Sequence, residues 1–227
     1  MGYQPELTIE QRTLLDLHLE LVLQENKTAN LTRILDWEQG QLLHIEDSLF
    51  GLAELINAPE GRYGDLGTGA GFPGLPLAIV SGRETLLVDS VSKKTAALDR
   101  IIERLGLSEQ VTTFTGRSEE LALQYPESFS VLTARALSSL PSLLELASPL
   151  LSYKGQLICY KAAPDEAELM QCEKLQEKLG MRLLSSREGL LSDNETLRSI
   201  FVFEKINEPT VKLPRRPGMA QKRPYKA

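Results

Sequence analysis

The stretch Asp65-Leu66-Gly67-Thr68-Gly69-Ala70-Gly71-Phe72-Pro73-Gly74 decides the fold. It follows an apolar strand-like run at 63–66 and opens an apolar helix-like run at 74–80. Glycines between strand and helix let the backbone turn tightly and let a ligand approach without Cβ clashes. Outward from this loop, strand-like and helix-like segments alternate. Strands are expected at 63–66, 85–89, 111–115, 130–133, 156–161, 181–186 and 197–204. Helices are expected at 74–80, 92–105, 118–124, 139–151 and 165–179. Such alternation gives a mainly parallel sheet covered on both faces. The last two strands have only a loop around 190–195 between them, so a hairpin there inserts one antiparallel strand. The expected architecture is a Rossmann-like α/β fold with a seven-stranded sheet and an N-terminal helical extension. In that extension Thr8-Ile9-Glu10-Gln11 has the capping-box form, and Leu14, Leu15, Leu17, Leu21 and Val22 recur at helical spacing. A second helix is expected at 37–56 with Asp36 as its cap. Pro59-Glu60-Gly61 breaks the pattern. The chain therefore divides into a helical extension (1–58), an α/β core (59–208) and a basic tail (209–227).

With 227 residues, 42% hydrophobic and 25% charged, the chain can bury a sizeable core. No apolar run approaches the roughly 20 residues that span a bilayer. The start Met1-Gly2 does not complete a myristoylation pattern, which needs Ser or Thr where Glu6 stands, and no basic stretch leads into an apolar one. A cytoplasmic location is expected. Cys159 and Cys172 have no His or Cys partners at zinc-ligand spacing, so no metal is expected. Net charge is -6, yet Lys212, Arg215, Arg216, Lys222, Arg223 and Lys226 follow Pro209 with no acidic residue among them. A basic tail on an acidic body suits a phosphate backbone, with Arg215 and Arg216 foremost. The alternative is a solvated, partly disordered tail.

Two nucleotide cofactors compete for the loop. Gly69-x-Gly71-x-x-Gly74 matches the dinucleotide fingerprint, in which a pyrophosphate sits on a helix N-terminus. Gly67-x-Gly69-x-Gly71 with Asp65 two residues upstream matches the loop that binds S-adenosyl-L-methionine. Asp65 would repel a pyrophosphate but suits an ammonium. Pro73 and Pro76 remove amide donors where a pyrophosphate would want them. Asp89, ending the second strand, suits ribose hydroxyls in either case. Ser118 and Glu119 can meet the adenine amino group; an ordinary first-turn acid explains Glu119 nearly as well. Arg135 follows the fourth strand, where ligands converge on a parallel sheet.

These residues resemble the bacterial small-subunit (16S) ribosomal RNA guanine-N7 methyltransferases, the glucose-inhibited division protein B family. The resemblance covers nearly the whole chain. It runs through Asn26-Lys27 with Asn30-Leu31-Thr32, His44 with Asp47-Ser48-Leu49, the loop 65–74 with Leu75-Pro76-Leu77, and Val88-Asp89-Ser90 with Lys93-Lys94. It continues through Gly116-Arg117 with Glu119, Ala134-Arg135-Ala136, Tyr160-Lys161, Arg198 and Pro214-Arg215-Arg216-Pro217-Gly218. It implies S-adenosyl-L-methionine held by Gly67, Phe72, Asp89, Ser90, Val91, Ser118, Glu119 and Arg135, and the loop residues Asp65, Gly69 and Gly71 are expected to bind it as well, Asp65 directly or through water. It implies that Asn30, His44, Lys161 and Arg198 face ribosomal RNA. Two departures stand out: Glu25 where many relatives have Trp, and Lys161-Ala162 where Lys-Gly is expected.

The implied reaction needs no general base, because N7 of guanine is unprotonated at neutral pH. The turn after the fourth strand is Ala134-Arg135-Ala136-Leu137, not the Asn/Asp-Pro-Pro-Tyr/Phe of exocyclic-amine methyltransferases. Cys159 lies within a strand, unlike the nucleophile of a cytosine-carbon methyltransferase. His44 is a candidate to stack on or donate to an extruded base, or a buried structural histidine. The rival expectations are a methyltransferase of a small molecule or protein, a non-catalytic nucleotide-binding RNA-associated protein, and a dehydrogenase. The expected partner is ribosomal RNA, within or outside the small subunit, and the expected state is a monomer.

Overall fold

The computed structural model describes residues 6–163 and 166–225. The N-terminal part holds α1 (Ile9–Ala29), α2 (Trp37–Gly40), a π-helical turn (Gln41–Glu46), α3 (Asp47–Leu49) and α4 (Leu52–Asn57). Then come β1 (Tyr63–Leu66), α5 (Gly74–Ser81), β2 (Thr85–Asp89), α6 (Ser92–Arg104), β3 (Val111–Thr115), α7 (Ser118–Gln124) and β4 (Phe129–Arg135). The chain continues through α8 (Leu140–Ala147), β5 (Leu151–Lys161), α9 (Glu166–Leu175), β6 (Met181–Leu190), β7 (Leu197–Lys205) and α10 (Met219–Lys222).

The seven strands lie in the order β3-β2-β1-β4-β5-β7-β6. β7 is antiparallel to both β5 and β6, and the other neighbouring pairs are parallel. The sheet divides the apolar residues by the two-residue period of a strand. On β5, Ile158 and Tyr160 face α1, α5 and α6, while Leu157 and Cys159 face α8 and α9. Each leucine fully buried on these faces contributes about 1.5–3 kcal/mol. The N-terminal helices are part of this core: Leu15, Leu19 and Val22 pack in one cluster with Leu75 and Leu98. The capping box at Thr8 forms as expected, with Gln11 N donating to Thr8 Oγ1 at 3.1 Å and Thr8 N donating to Gln11 Oε1 at 3.0 Å.

The expected helix at 37–56 is a correction. Asp36 does cap its start, accepting from Gln39 N at 2.9 Å, but the run then breaks into α2, the π turn, α3 and α4. At Gly51 a Cβ would lie 2.2 Å from the Tyr160 hydroxyl. The break brings the segment against β5, where Tyr160 Oη donates to the Ser48 carbonyl at 2.7 Å. Three boundaries also move. β4 runs on to Arg135, β5 starts at Leu151 and shortens the preceding helix to Leu140–Ala147, and β6 extends to Leu190. Of the helix expected at 165–179, Asp165 lies outside the described residues. The tail folds back over α8, correcting the expectation of a solvated, partly disordered segment; Lys226 is outside the described residues. Among the described residues no helix is long and apolar enough to cross a membrane, and no group of three or more His, Cys, Asp or Glu could hold a metal.

Candidate active site

β1 and β2 end side by side, and their carboxylates do different work. Asp65 is fully buried; its carboxylate accepts from Gly74 N at 3.0 Å and from Thr133 Oγ1 at 2.6 Å. Burial raises its pKa to about 6. Asp65, expected to meet a ligand ammonium, has its carboxylate turned inward, where it closes the loop onto the first amide of α5. That also weakens the dinucleotide reading, because the amide a pyrophosphate would take is already occupied. Gly74 fits only because it lacks a side chain, since a Cβ would stand 2.7 Å from the Asp65 carboxylate.

Asp89 is held by two amides. Gly69 N donates to Oδ2 at 3.0 Å and Val91 N donates to Oδ1 at 2.9 Å. Each oxygen keeps a lone pair, and the carboxylate lines a cleft of about 240 Å³. Gly67, Ser90, Lys94, Ser118, Glu119, Ala136, Leu137 and Gln221 also line it. The loop face is open at Gly69, where a Cβ would find only the Gly67 carbonyl oxygen, at 4.0 Å. Ser118 and Glu119 open α7, and Glu119 Oε1 accepts from Gly218 N of the C-terminal segment at 2.7 Å.

A second cleft, of about 490 Å³, lies across the end of β4. His44, Asp47, Arg135, Tyr160, Lys161 and Arg198 line it. Asp47 bridges two guanidinium groups, accepting from Arg135 Nη1 and from Arg198 Nε, each at 2.8 Å. Lys161 Nζ donates to the Ser138 carbonyl at 3.2 Å and pairs with Glu168 at 2.6 Å. The His44 ring stacks on Phe72 with centroids 4.3 Å apart and planes 3° apart, while His18 packs on Phe72 at 4.5 Å. Burial lowers the pKa of His18 to about 3 and of His44 to about 4, with Arg135 adding to the shift at His44. Both rings are therefore neutral at physiological pH.

Only Ala136 lines both clefts among the described residues. Its φ of 54° lies in the left-handed region, which non-glycine residues visit rarely and mostly where the surrounding structure enforces it.

Several expected ligand residues are placed otherwise. Arg135 lines the second cleft rather than the first, because β4 runs through it and its guanidinium turns to Asp47. Phe72 is buried between the two histidines, and a Cβ on Gly71 would meet Leu98 and His18. Both residues brace the loop against α1 and α6. Val91 reaches Asp89 with its amide while its side chain is exposed. Asn30 is the left-handed C-cap of α1, and its neighbour Asn26 does the connecting work. Asn26 bonds both backbone groups of Thr32, at 2.9 and 3.0 Å, and Thr32 Oγ1 lies 2.8 Å from His44 Nε2. Arg215, expected to meet RNA, pairs with buried Glu145 at 2.6 Å. Arg216 is exposed. Glu25, one of the two departures, ties α1 to α6 through Arg100 at 2.6 Å, outside both cleft linings.

Residues that sequence reading left without a role are Asp47, Lys94, Ala136, Leu137 and Gln221. Asp47 was visible only as a neighbour of His44, and nothing in the pattern of Gln221 marks it.

The first cleft fits a nucleoside joined to an amino acid. It offers an acid for vicinal hydroxyls, acceptors for an adenine amino group and an open glycine turn between them. The chain matches the family model described as rRNA small subunit methyltransferase G over residues 11–195. It is 36% identical to the ribosomal RNA small subunit methyltransferase G of Carboxydothermus hydrogenoformans, covering 95% of this chain and 92% of that protein. It is also 36% identical to the Oenococcus oeni protein of the same name, covering 93% and 88%. Among solved structures it is similar to an O-methyltransferase from Bacillus cereus in complex with SAH (TM-score 0.57, 20% identity, 83% of this chain and 90% of that one). A second is geranyl diphosphate C-methyltransferase from Streptomyces coelicolor with S-adenosyl-L-homocysteine (TM-score 0.53, 10% identity, 68% and 76%).

Proposed function

The chain belongs to the rRNA small subunit methyltransferase G family, and from that premise we propose that it methylates N7 of a guanine in small-subunit ribosomal RNA. Its cofactor is S-adenosyl-L-methionine, which when bound supplies a methyl group carried on a positively charged sulfur. The observation that carries the reading is the meeting of two clefts at Ala136. One cleft is shaped for an adenosyl group and the other is lined with cations for a nucleotide.

In this reading Asp89 takes the ribose hydroxyls, and Ser118 and Glu119 take the adenine amino group. Gly67 and Gly69 let the donor lie against the loop. His44, Arg135, Lys161 and Arg198 receive the guanine. The major-groove edge of guanine presents N7 and O6 as acceptors, so an arginine donating to O6 orients the base with N7 toward the donor. N7 already holds its lone pair, so no residue has to remove a proton. The carboxylates of the clefts are held by donors: Asp47 by two arginines, Asp89 by two amides, Glu119 by Gly218 N. Catalysis then rests on alignment and exclusion of water, which can contribute roughly 7–11 kcal/mol. Arg216, Lys222 and Arg223 are exposed and would meet phosphates beyond the guanine. Residues 1–58 would form the RNA-facing side, 59–208 the donor-binding core and 209–227 a segment serving both. We place the reaction in the cytoplasm, with a monomeric enzyme, no metal ion, and RNA within the small subunit or on its way there.

Mass mapping of small-subunit ribosomal RNA from cells with and without the protein tests the assignment. The expected result is one guanine that loses its methyl group and its N7-specific cleavage when the protein is absent. A methyl group lost from any other base or atom overturns the N7 assignment.

A further inference from the structure

The C-terminal segment at 214–225 lies beyond residues 11–195, the stretch that matches the family model. It is locked onto α8 from several sides. Arg215 reaches Glu145 through a two-point ion pair and donates to the Arg223 carbonyl at 2.7 Å. The Arg215 guanidinium lies 4.1 Å from the centre of the Tyr225 ring. Ser142 Oγ donates to the Ala220 carbonyl at 2.8 Å, and Ala220 is buried. The lock brings two groups to the first cleft. Gly218 N fixes the Glu119 carboxylate at 2.7 Å, and Gln221 stands in the cleft lining. The Gln221 amide spans the rim, accepting from Arg117 Nη1 at 3.5 Å and donating to the Leu137 carbonyl at 3.4 Å. Arg117 can only donate and the Leu137 carbonyl can only accept, so these two bonds fix which way the amide faces and leave it a second lone pair and a second N–H for a ligand.

We propose that Gln221 reads the edge of the donor's adenine, held there by a C-terminal strap that forms the outer wall of the cofactor cleft. The inference rests on the reading of this cleft as the S-adenosyl-L-methionine site. A primary amide presents one donor and one acceptor side by side. The Watson–Crick edge of adenine presents the complement, its amino donor beside the N1 acceptor, a two-point pairing of the kind glutamine also makes with adenine through N7. Ser118 and Glu119 lie in the same lining, so the amino group meets an acid held by the strap and an amide carried by it. A hypoxanthine ring reverses this pattern, with a carbonyl in place of the amino group and a protonated N1. Gln221 therefore makes the cleft selective for adenine over its deaminated form.

Titration calorimetry with S-adenosyl-L-homocysteine and its deaminated counterpart S-inosyl-L-homocysteine tests this on the full chain. The wild type is expected to prefer the adenosyl ligand at least about tenfold, the scale of one or two lost hydrogen bonds. Gln221→Ala, at an exposed position, should weaken the adenosyl ligand about tenfold while changing the inosyl ligand far less. Its thermal midpoint should stay at the wild-type value. Equal affinities of Gln221→Ala and wild type for the adenosyl ligand overturn the proposal, as does an equal loss for both ligands. A wild type that binds neither ligand sinks the cofactor reading itself, a result distinct from both.

Discussion

His18, Phe72 and His44 form a stack in which the aromatic residue of the glycine loop lies between two imidazoles from the N-terminal helices. Neither Nδ1 has a partner in the described structure, and burial keeps both rings neutral, with pKa values of about 3 and about 4. An unfolded histidine titrates near 6.5. Both histidines are therefore neutral in both states above that value and contribute no pH dependence there. As pH falls from 6.5 toward 4, the unfolded chain takes up protons that the folded chain refuses, and stability is lost at roughly 1.4 kcal/mol per pH unit per histidine. Asp65 works in the opposite sense. Its raised pKa stabilises the fold at low pH, and that contribution is lost as pH rises from 3.8 to about 6. The chain has two histidines, so their ring protons can be followed by NMR without ambiguity. Neither should titrate between pH 8 and pH 5; a midpoint near 6.5 for His44 would mean that its ring is open to water.

Among the elements, the C-terminal segment and the broken helix at 37–57 show where sequence reading ends. β1, β2, β3 and α7 lie where their apolar periods and flanking glycines place them, because local pattern and burial agree there. The break after Gly40 is different. Helical spacing continues through it, and the segment is shaped by packing that sequence does not show: Leu19 lies against Gly40, and Tyr160 of β5, more than a hundred residues away, lies against Gly51. The tail misled for a related reason. A run of Arg and Lys reads as solvated, and only the fold reveals that Arg215 faces the buried carboxylate of Glu145. Residues of the first cleft such as Asp89 and Ser118 were legible because they sit at strand ends and helix starts. Asp47 and Gln221 were not, because their roles depend on elements remote in sequence. Removing one partner of a buried ion pair leaves the other charge uncompensated. Arg215→Ala should therefore destabilise the protein by about 3 kcal/mol in chemical denaturation. It should also weaken S-adenosyl-L-methionine binding, since Gly218 and Gln221 lose their anchor. Wild-type stability in this variant would show that the strap is not held by this pair.

Taken whole, the molecule combines an acidic overall charge of -6 with cations in two groups. Arg135, Lys161 and Arg198 line the second cleft, while Lys212, Arg216, Lys222 and Arg223 are exposed along the C-terminal segment. This distribution lets an acidic protein hold a polyanion locally without attracting nucleic acid over its whole surface. Ala136 lines both clefts. In the proposed reaction, donor and acceptor meet across its single methyl group. Its left-handed backbone makes a branched replacement doubly unfavourable, in space and in φ. Ala136→Val should leave both ligands bound within about threefold of wild type, yet slow single-turnover methylation about a hundredfold, as expected for a misplacement near 1 Å. Ala136→Gly should keep turnover and relieve roughly 1 kcal/mol of backbone strain. If both expectations hold, the reaction is limited by the bulk of a residue too small to be noticed for any chemistry of its own, and enlarging it costs rate rather than binding.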